Sequence, residues 1–167
     1  MEPAAIQALF RFNTFANEAL RGPLLAAGDE VVRRPLTLWF GSVFNVLAHL
    51  CGGESVWLAR LCDKQPQART LTADDFPSVA ALVETWRDLD AQWETFVGSL
   101  SAHALEEATI ARRSDGNTYA FTFWQPLIHV ANHSTEHRGH ATVAMTQLGM
   151  PHSKQDFLDQ FRTPASG

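Results

Sequence analysis

The sequence predicts an all-α fold: a four-helix bundle with a short β-hairpin in the connection between its third and fourth helices. Three observations carry this. Val79, Leu82, Trp86, Leu89, Trp93, Phe96 and Leu100 follow one another in alternating steps of three and four, an a/d seam that suits near-parallel helix packing. Other long stretches repeat apolar residues at the helical period. Asp115-Gly116 falls between two short, alternating, β-prone runs, which is a hairpin signal.

The first helix is expected from about Pro3 to Leu20, with Ile6, Leu9, Phe10, Asn13, Ala16 and Leu20 at helical spacing and Gly22-Pro23 as its stop. Residues 24–35 read ambiguously and are closed by Pro35. The second helix is expected from Thr37, a fair N-cap, to about Cys62. Leu38, Phe44, Leu47, Leu50, Trp57, Leu58 and Leu61 supply its apolar face. Gly52-Gly53 weakens its middle, at about 1 kcal/mol per glycine relative to alanine, and points to a close helix contact or a kink. After a linker with Pro66 and Pro77, the third helix is expected to run to about His103. The fourth opens near Pro126, a good first-turn residue, and ends at Leu148 before Gly149 and Pro151. Phe157, Leu158 and Phe161 suggest a short docked helix in the tail. Nothing repeats, so residues 1–167 read as one domain.

Composition narrows the function. Hydrophobic residues make up 46% of the chain, including eleven Phe and five Trp, enough for a sizeable core. The net charge of −5 and the absence of a basic run argue against nucleic-acid binding, which needs clustered Lys and Arg. No window resembles a membrane span or a signal peptide. Cys51 and Cys62 are eleven residues apart on one expected helix, a rise of about 16 Å that no disulfide crosses. They read as buried free thiols in a reducing compartment, so a cytoplasmic location is expected.

The chemistry concentrates in "HVANHSTEHRGH", residues 129–140, which holds four of the seven histidines. His133-Ser134-Thr135-Glu136-His137 matches H-x-x-E-H, the inverted-zincin arrangement of two zinc ligands and a glutamate base. It is also a histidine pair one helical turn apart. At about 100° per residue, with His129 at zero, His133 falls near 40°, His137 near 80° and His140 near 20°. The apolar stripe of this helix centres near 120° by the same count, so His133 and His137 lie closest to the core. His129 and His140 fall at its edge, and Glu136, near 300°, turns away. A pair at i, i+4 suits one metal ion. His49 sits among apolar residues near the middle of the second helix, where a histidine without a partner is costly to bury. His137 lies near the middle of the fourth, which makes His49 the natural third ligand. Cys51 points about 200° away from His49 and does not complete the site. Asn45 is placed to orient His49, and Asn132 to orient His133. Arg138, near 180°, reads as structural or as an inter-helix contact, and Trp86 and Trp93 as core.

"NHSTEHRGH", with "HVA" before it and "LGM" after, resembles the last helix of the DinB (damage-inducible) family of bacterial four-helix-bundle proteins, which reads "NHxTxHRGQ" followed by "LG". "LAHLCGGESVWLARL" is similar to the family's histidine-containing second helix. Glu136 stands where the family often has histidine, and His140 where it often has glutamine. The resemblance implies an up-down-down-up bundle, a homodimer, and metal ligation by His49, His133 and His137. It further implies a metal-dependent enzyme, since similar proteins in the wider superfamily include bacillithiol transferases and mycothiol-dependent isomerases. Nickel or zinc is expected, because imidazole suits both. Three imidazoles leave a coordination position open, so a metal-bound thiol or water would become a nucleophile for transfer or hydrolysis. The other readings are a non-catalytic metal-binding bundle acting in stress response through a partner or dimerisation, and a small inverted-zincin protease.

Overall fold

The computed structural model describes residues 1–62, 68–112 and 116–162. Pro66 of the linker and Asp115 of the hairpin turn lie outside the described residues. Four long helices form the bundle: α1 Pro3–Val32, α2 Val43–Leu61, α3 Val79–Gly98 and α5 Trp124–Gln147. A short α4, Ala102–Glu106, and the strands β1 Ala108–Arg112 and β2 Thr118–Thr122 fill the connection between α3 and α5. The strands pair antiparallel, with Ala108 opposite Thr122 and Ile110 opposite Ala120.

Pairs of residues fix the helix directions. Along α1, Phe10 meets Trp93, Asn17 meets Asp90, and Arg21 meets Trp86, so α1 and α3 run antiparallel. His49 meets His137 and Trp57 meets His129, so α2 and α5 are antiparallel too. Glu54 bonds Trp86, and farther along Leu58 and Cys62 line a surface with Ala91 and Thr95, so α2 and α3 are parallel. The topology is therefore up-down-down-up. The seam residues Val79, Leu82, Trp86, Leu89 and Trp93 are all buried. No helix among the described residues is long and apolar enough to cross a membrane.

Three element boundaries differ from expectation. α1 continues through Gly22-Pro23, because Leu20, Leu24 and Val32 stay on the core side and Arg21 is buried against α3. That packing outweighs the roughly 3 kcal/mol a helical proline costs. The break comes instead at Gly28, with φ 73°, where only glycine is unstrained. α2 begins at Val43, not Thr37: Gly41 takes φ 75° and Ser42 caps the helix, its Oγ accepting from Asn45 N at 3.1 Å. α3 stops at Gly98 rather than His103, since Ser99 Oγ donates back to Phe96 O at 2.7 Å and Ser101 starts α4 as its N-cap. In the tail, a 3-10 turn at Phe157–Phe161 docks Phe157 edge-on against Phe12 of α1 at 5.2 Å.

A layer of buried polar side chains crosses the bundle. Glu54 of α2 accepts from Asn13 at 2.7 Å, from Trp86 Nε1 at 2.9 Å and from Ser134 Oγ at 2.7 Å. Arg21 pairs with Asp90, and Asn17 donates to Asp90 at 2.9 Å. Arg138 of α5 donates to Asn13 and, at 2.9 Å, to Asn17 Oδ1. Two guanidinium groups and two carboxyl groups thus share one network, which answers the cost of burying each charge. Arg138 is the inter-helix contact that its helical angle implied.

Candidate metal centre

The antiparallel crossing of α2 and α5 brings His49 level with His137 and Gly53 level with His133. The ring centroids of His49, His133 and His137 lie 4.3 to 5.2 Å apart. One potential ligand atom from each lies within 4.8 Å of the others. His133 Nε2 stands 3.3 Å from His49 Nε2. Two nitrogens about 2.1 Å from one ion at a tetrahedral angle are roughly 3.4 Å apart, so this spacing fits a shared ion with little movement.

The electrostatics suit a cation as well. Burial is the main cause that pushes His133 down to about 3 and His137 down to about 4, with the neighbouring imidazoles adding to both. Burial also lowers His49, against the pull of Glu136. Imidazoles held neutral keep the lone pairs that a metal requires. His140 Nδ1 lies 3.3 Å from His137 Nδ1. With His137 Nδ1–H as the donor, its Nε2 carries the lone pair, a familiar way of orienting a ligating imidazole.

The match to known sequences agrees with the geometry: the model of the DinB family matches residues 2–164, nearly the whole chain. The chain belongs to the DinB family. No curated protein matches it significantly.

Among the described residues of this DinB chain, His49, His133 and His137 form a cluster that could hold a metal ion. His129 and His140 are exposed at its rim, as their helical angles implied. His103 pairs with Glu107 at 3.3 Å, and His152 bonds Thr146 at 2.9 Å, both away from the cluster. Glu136 is exposed, and among the described residues no acidic ligand joins the histidines. The donor set is thus not the two histidines and acidic third ligand of the inverted-zincin reading.

Two orienting roles are corrected. Asn45 Nδ2 donates to Phe40 O at 2.9 Å rather than to His49, because the turn before α2 folds back onto it. Asn132 is exposed and lines the cavity between α1 and α5 with Asn13 and Phe157, on another face from His133. Cys51 is a free thiol in the core, where burial pushes its pKa up. Cys62, expected to be buried, is exposed because it caps the end of α2.

Sequence reasoning missed two parts of the site. Phe40 packs on His49 at 5.0 Å and stands edge-on to His137 at 5.2 Å. Its position depends on the turn at Gly41, which has no periodic signal. Gly53 faces the His133 ring: a Cβ there would meet Cε1 at 2.6 Å, well inside the roughly 3.5 Å of ordinary contact. Gly52 admits Leu71, whose carbonyl oxygen would lie 2.1 Å from an added Cβ. The glycine pair therefore marks a close approach, not a kink. Gly53→Ala should displace His133 and weaken zinc binding in a calorimetric titration. Gly22→Ala, with nothing within 4 Å of the added methyl, should leave it unchanged. Equal zinc affinity in both variants would contradict the placement of His133.

The depressed histidines also predict a pH effect on the metal-free protein. Unfolding returns His133 and His137 to an ordinary value of 6.5. As pH falls below that value, the unfolded chain takes up protons that the folded chain refuses, so stability drops until the folded values near 3 and 4 are reached. Asp90 works in the opposite sense, since burial and Glu54 hold its carboxyl up at about 7. His133→Ala keeps Asp90 and lacks one imidazole. Between about pH 7 and 5, chelator-treated wild type should therefore lose melting temperature more steeply than chelator-treated His133→Ala. Equal slopes would contradict the low value assigned to His133.

Proposed function

We propose that His49, His133 and His137 hold one divalent ion, nickel or zinc, and that the protein is a metal-dependent enzyme acting on a low-molecular-weight thiol or on water, of transferase or hydrolase type. The observation that carries this reading is the donor set. Three neutral imidazoles converge from two helices, and among the described residues no cysteine or carboxylate joins them. A structural zinc site is usually closed by four protein ligands, whereas three leave a position for a reactant. When bound, such an ion lowers the pKa of a coordinated thiol or water toward neutrality.

The protein's own groups hold and shield that position. α2 and α5 set the three nitrogens, and His140 orients His137 through the 3.3 Å contact between their Nδ1 atoms. Phe40 covers His49 and His137 on one side. The test is a parallel screen of zinc- and nickel-loaded protein for thiol consumption with added electrophiles and for ester and amide hydrolysis. Metal-dependent turnover that disappears in His133→Ala is expected. Stoichiometric metal binding with no turnover in either arm would favour the non-catalytic, metal-binding alternative.

A further inference from the structure

A cavity of about 480 Å³ opens beside the histidine cluster, lined by Trp57 of α2, Phe121 of β2, and Gln125, Pro126 and His129 at the start of α5. Its size falls within the range of small-molecule sites. Among the described residues, its lining contains no Asp, Glu, Lys or Arg. Trp57 and Phe121 present aromatic surface, and Arg60 stacks on the Trp57 indole at 5.2 Å, steadying it. Thr122 N donates to Gln125 Oε1 at 3.0 Å, which fixes that amide and leaves its NH₂ as a donor. None of the three clustered histidines lines the cavity, but His129 stands between the two. Trp57 meets His129 edge-on at 5.3 Å, and His129 lies 5.9 Å from His133.

We infer that this cavity is the substrate pocket of the histidine centre, and that it takes an uncharged, aromatic or similarly flat and unsaturated small molecule. The reaction class rests on the reading of the centre given above; the pocket assignment adds the chemistry of the second reactant. Two aromatic walls favour a flat apolar body, since ring–ring contacts add to the gain from burial. With no charged side chain among the described lining residues, and the nearby Arg60 guanidinium held against the Trp57 ring, an anion is disfavoured, because a carboxylate there would lose its hydration without a partner in the lining. The Gln125 NH₂ can meet one neutral oxygen of the ligand. The hairpin, which has no place in a plain four-helix bundle, thus contributes a wall of the pocket through Phe121.

The test uses 2-naphthol and 2-naphthoate, a neutral and an anionic probe of the same shape near neutral pH, titrated into zinc-loaded protein and followed by NMR. Shifts confined to the Trp57 indole, the Gln125 amide and their neighbours are expected, with naphthoate bound at least about tenfold more weakly. Trp57→Ala should weaken naphthol by about tenfold while zinc titrates as in wild type. Gln125→Arg, a change at an exposed position, should shift the preference toward naphthoate. Exchanging zinc for paramagnetic nickel should broaden the bound naphthol protons, and His49→Ala should remove that broadening without removing naphthol. Equal binding of the two probes, shifts mapping to another face, or no broadening with nickel bound would overturn the pocket. Failure of zinc and nickel to bind at all would instead overturn the reading of the centre.

Discussion

Glu54→Ala should destabilise the protein by about 3–5 kcal/mol, the range for removing one partner from a buried charge network. Its carboxylate accepts hydrogen bonds from Asn13, Asn17, Trp86 and Ser134, which reach it from the other three long helices. Truncation leaves Asn13, Trp86 and Ser134 without this acceptor, while Asn17 keeps Asp90. It also removes a nearby negative charge from two buried guanidinium groups, Arg138 and Arg21, of which Arg21 still pairs with Asp90 and Glu18. Against a total stability of roughly 5–15 kcal/mol, such a loss approaches unfolding. Glu54→Gln keeps the volume and one oxygen acceptor, so it should cost less than the alanine change. It still loses the charge and turns an NH₂ toward a former donor. Urea unfolding of the three proteins measures the difference. A Glu54→Ala unfolding free energy within about 0.5 kcal/mol of wild type, the ordinary scatter of surface substitutions, would show that the network contributes little.

The network was partly legible. Leu47, Leu50, Glu54, Leu58 and Leu61 continue one helical stripe, so a carboxylate stands in the middle of an apolar face. Asn13 likewise interrupts the stripe of α1, and Asp90 stands beside the seam, next to Leu89, four residues after Trp86 and three before Trp93. A polar residue on a core stripe must find a partner, but the sequence does not say which one. The pairing needs the helix order and directions, which only tertiary packing supplies. The three histidines were more legible, because the helical period places His133 and His137 on one face and mid-height selects His49. Ser42, Ser78 and Ser101 show the limit at helix ends: each caps a helix, yet Thr37 was an equally acceptable residue for that role. What decided between Thr37 and Ser42 was Gly41 at positive φ, and the fold of that turn also delivers Phe40 to the centre. Pro23 illustrates the opposite failure, a strong local stop signal overridden by the burial of Arg21 and Leu24.

His49→Ala should reduce zinc and nickel affinity as severely as His137→Ala, although 88 residues separate the two positions along the chain. Three ligands act as one chelate, so removing any of them leaves a pair with poor hold on the ion. The 3.3 Å separation of His49 Nε2 and His133 Nε2 across α2 and α5 means that a helix 5 pair alone would lose its facing donor. His129→Ala and His140→Ala should cost less, about 10- to 100-fold for groups that act through a ligand. Stability should follow, since a bound ion raises it by RT ln(1 + [L]/Kd), and the triad variants should lose that metal-dependent rise in Tm. The most direct measurement is calorimetric titration of wild type, His49→Ala, His137→Ala and His140→Ala with Zn²⁺ and Ni²⁺. One ion per chain in wild type, near-complete loss in both triad variants and retained binding in His140→Ala is the predicted result. Wild-type binding by His49→Ala together with loss in His140→Ala would place the site on α5 alone and contradict the shared centre.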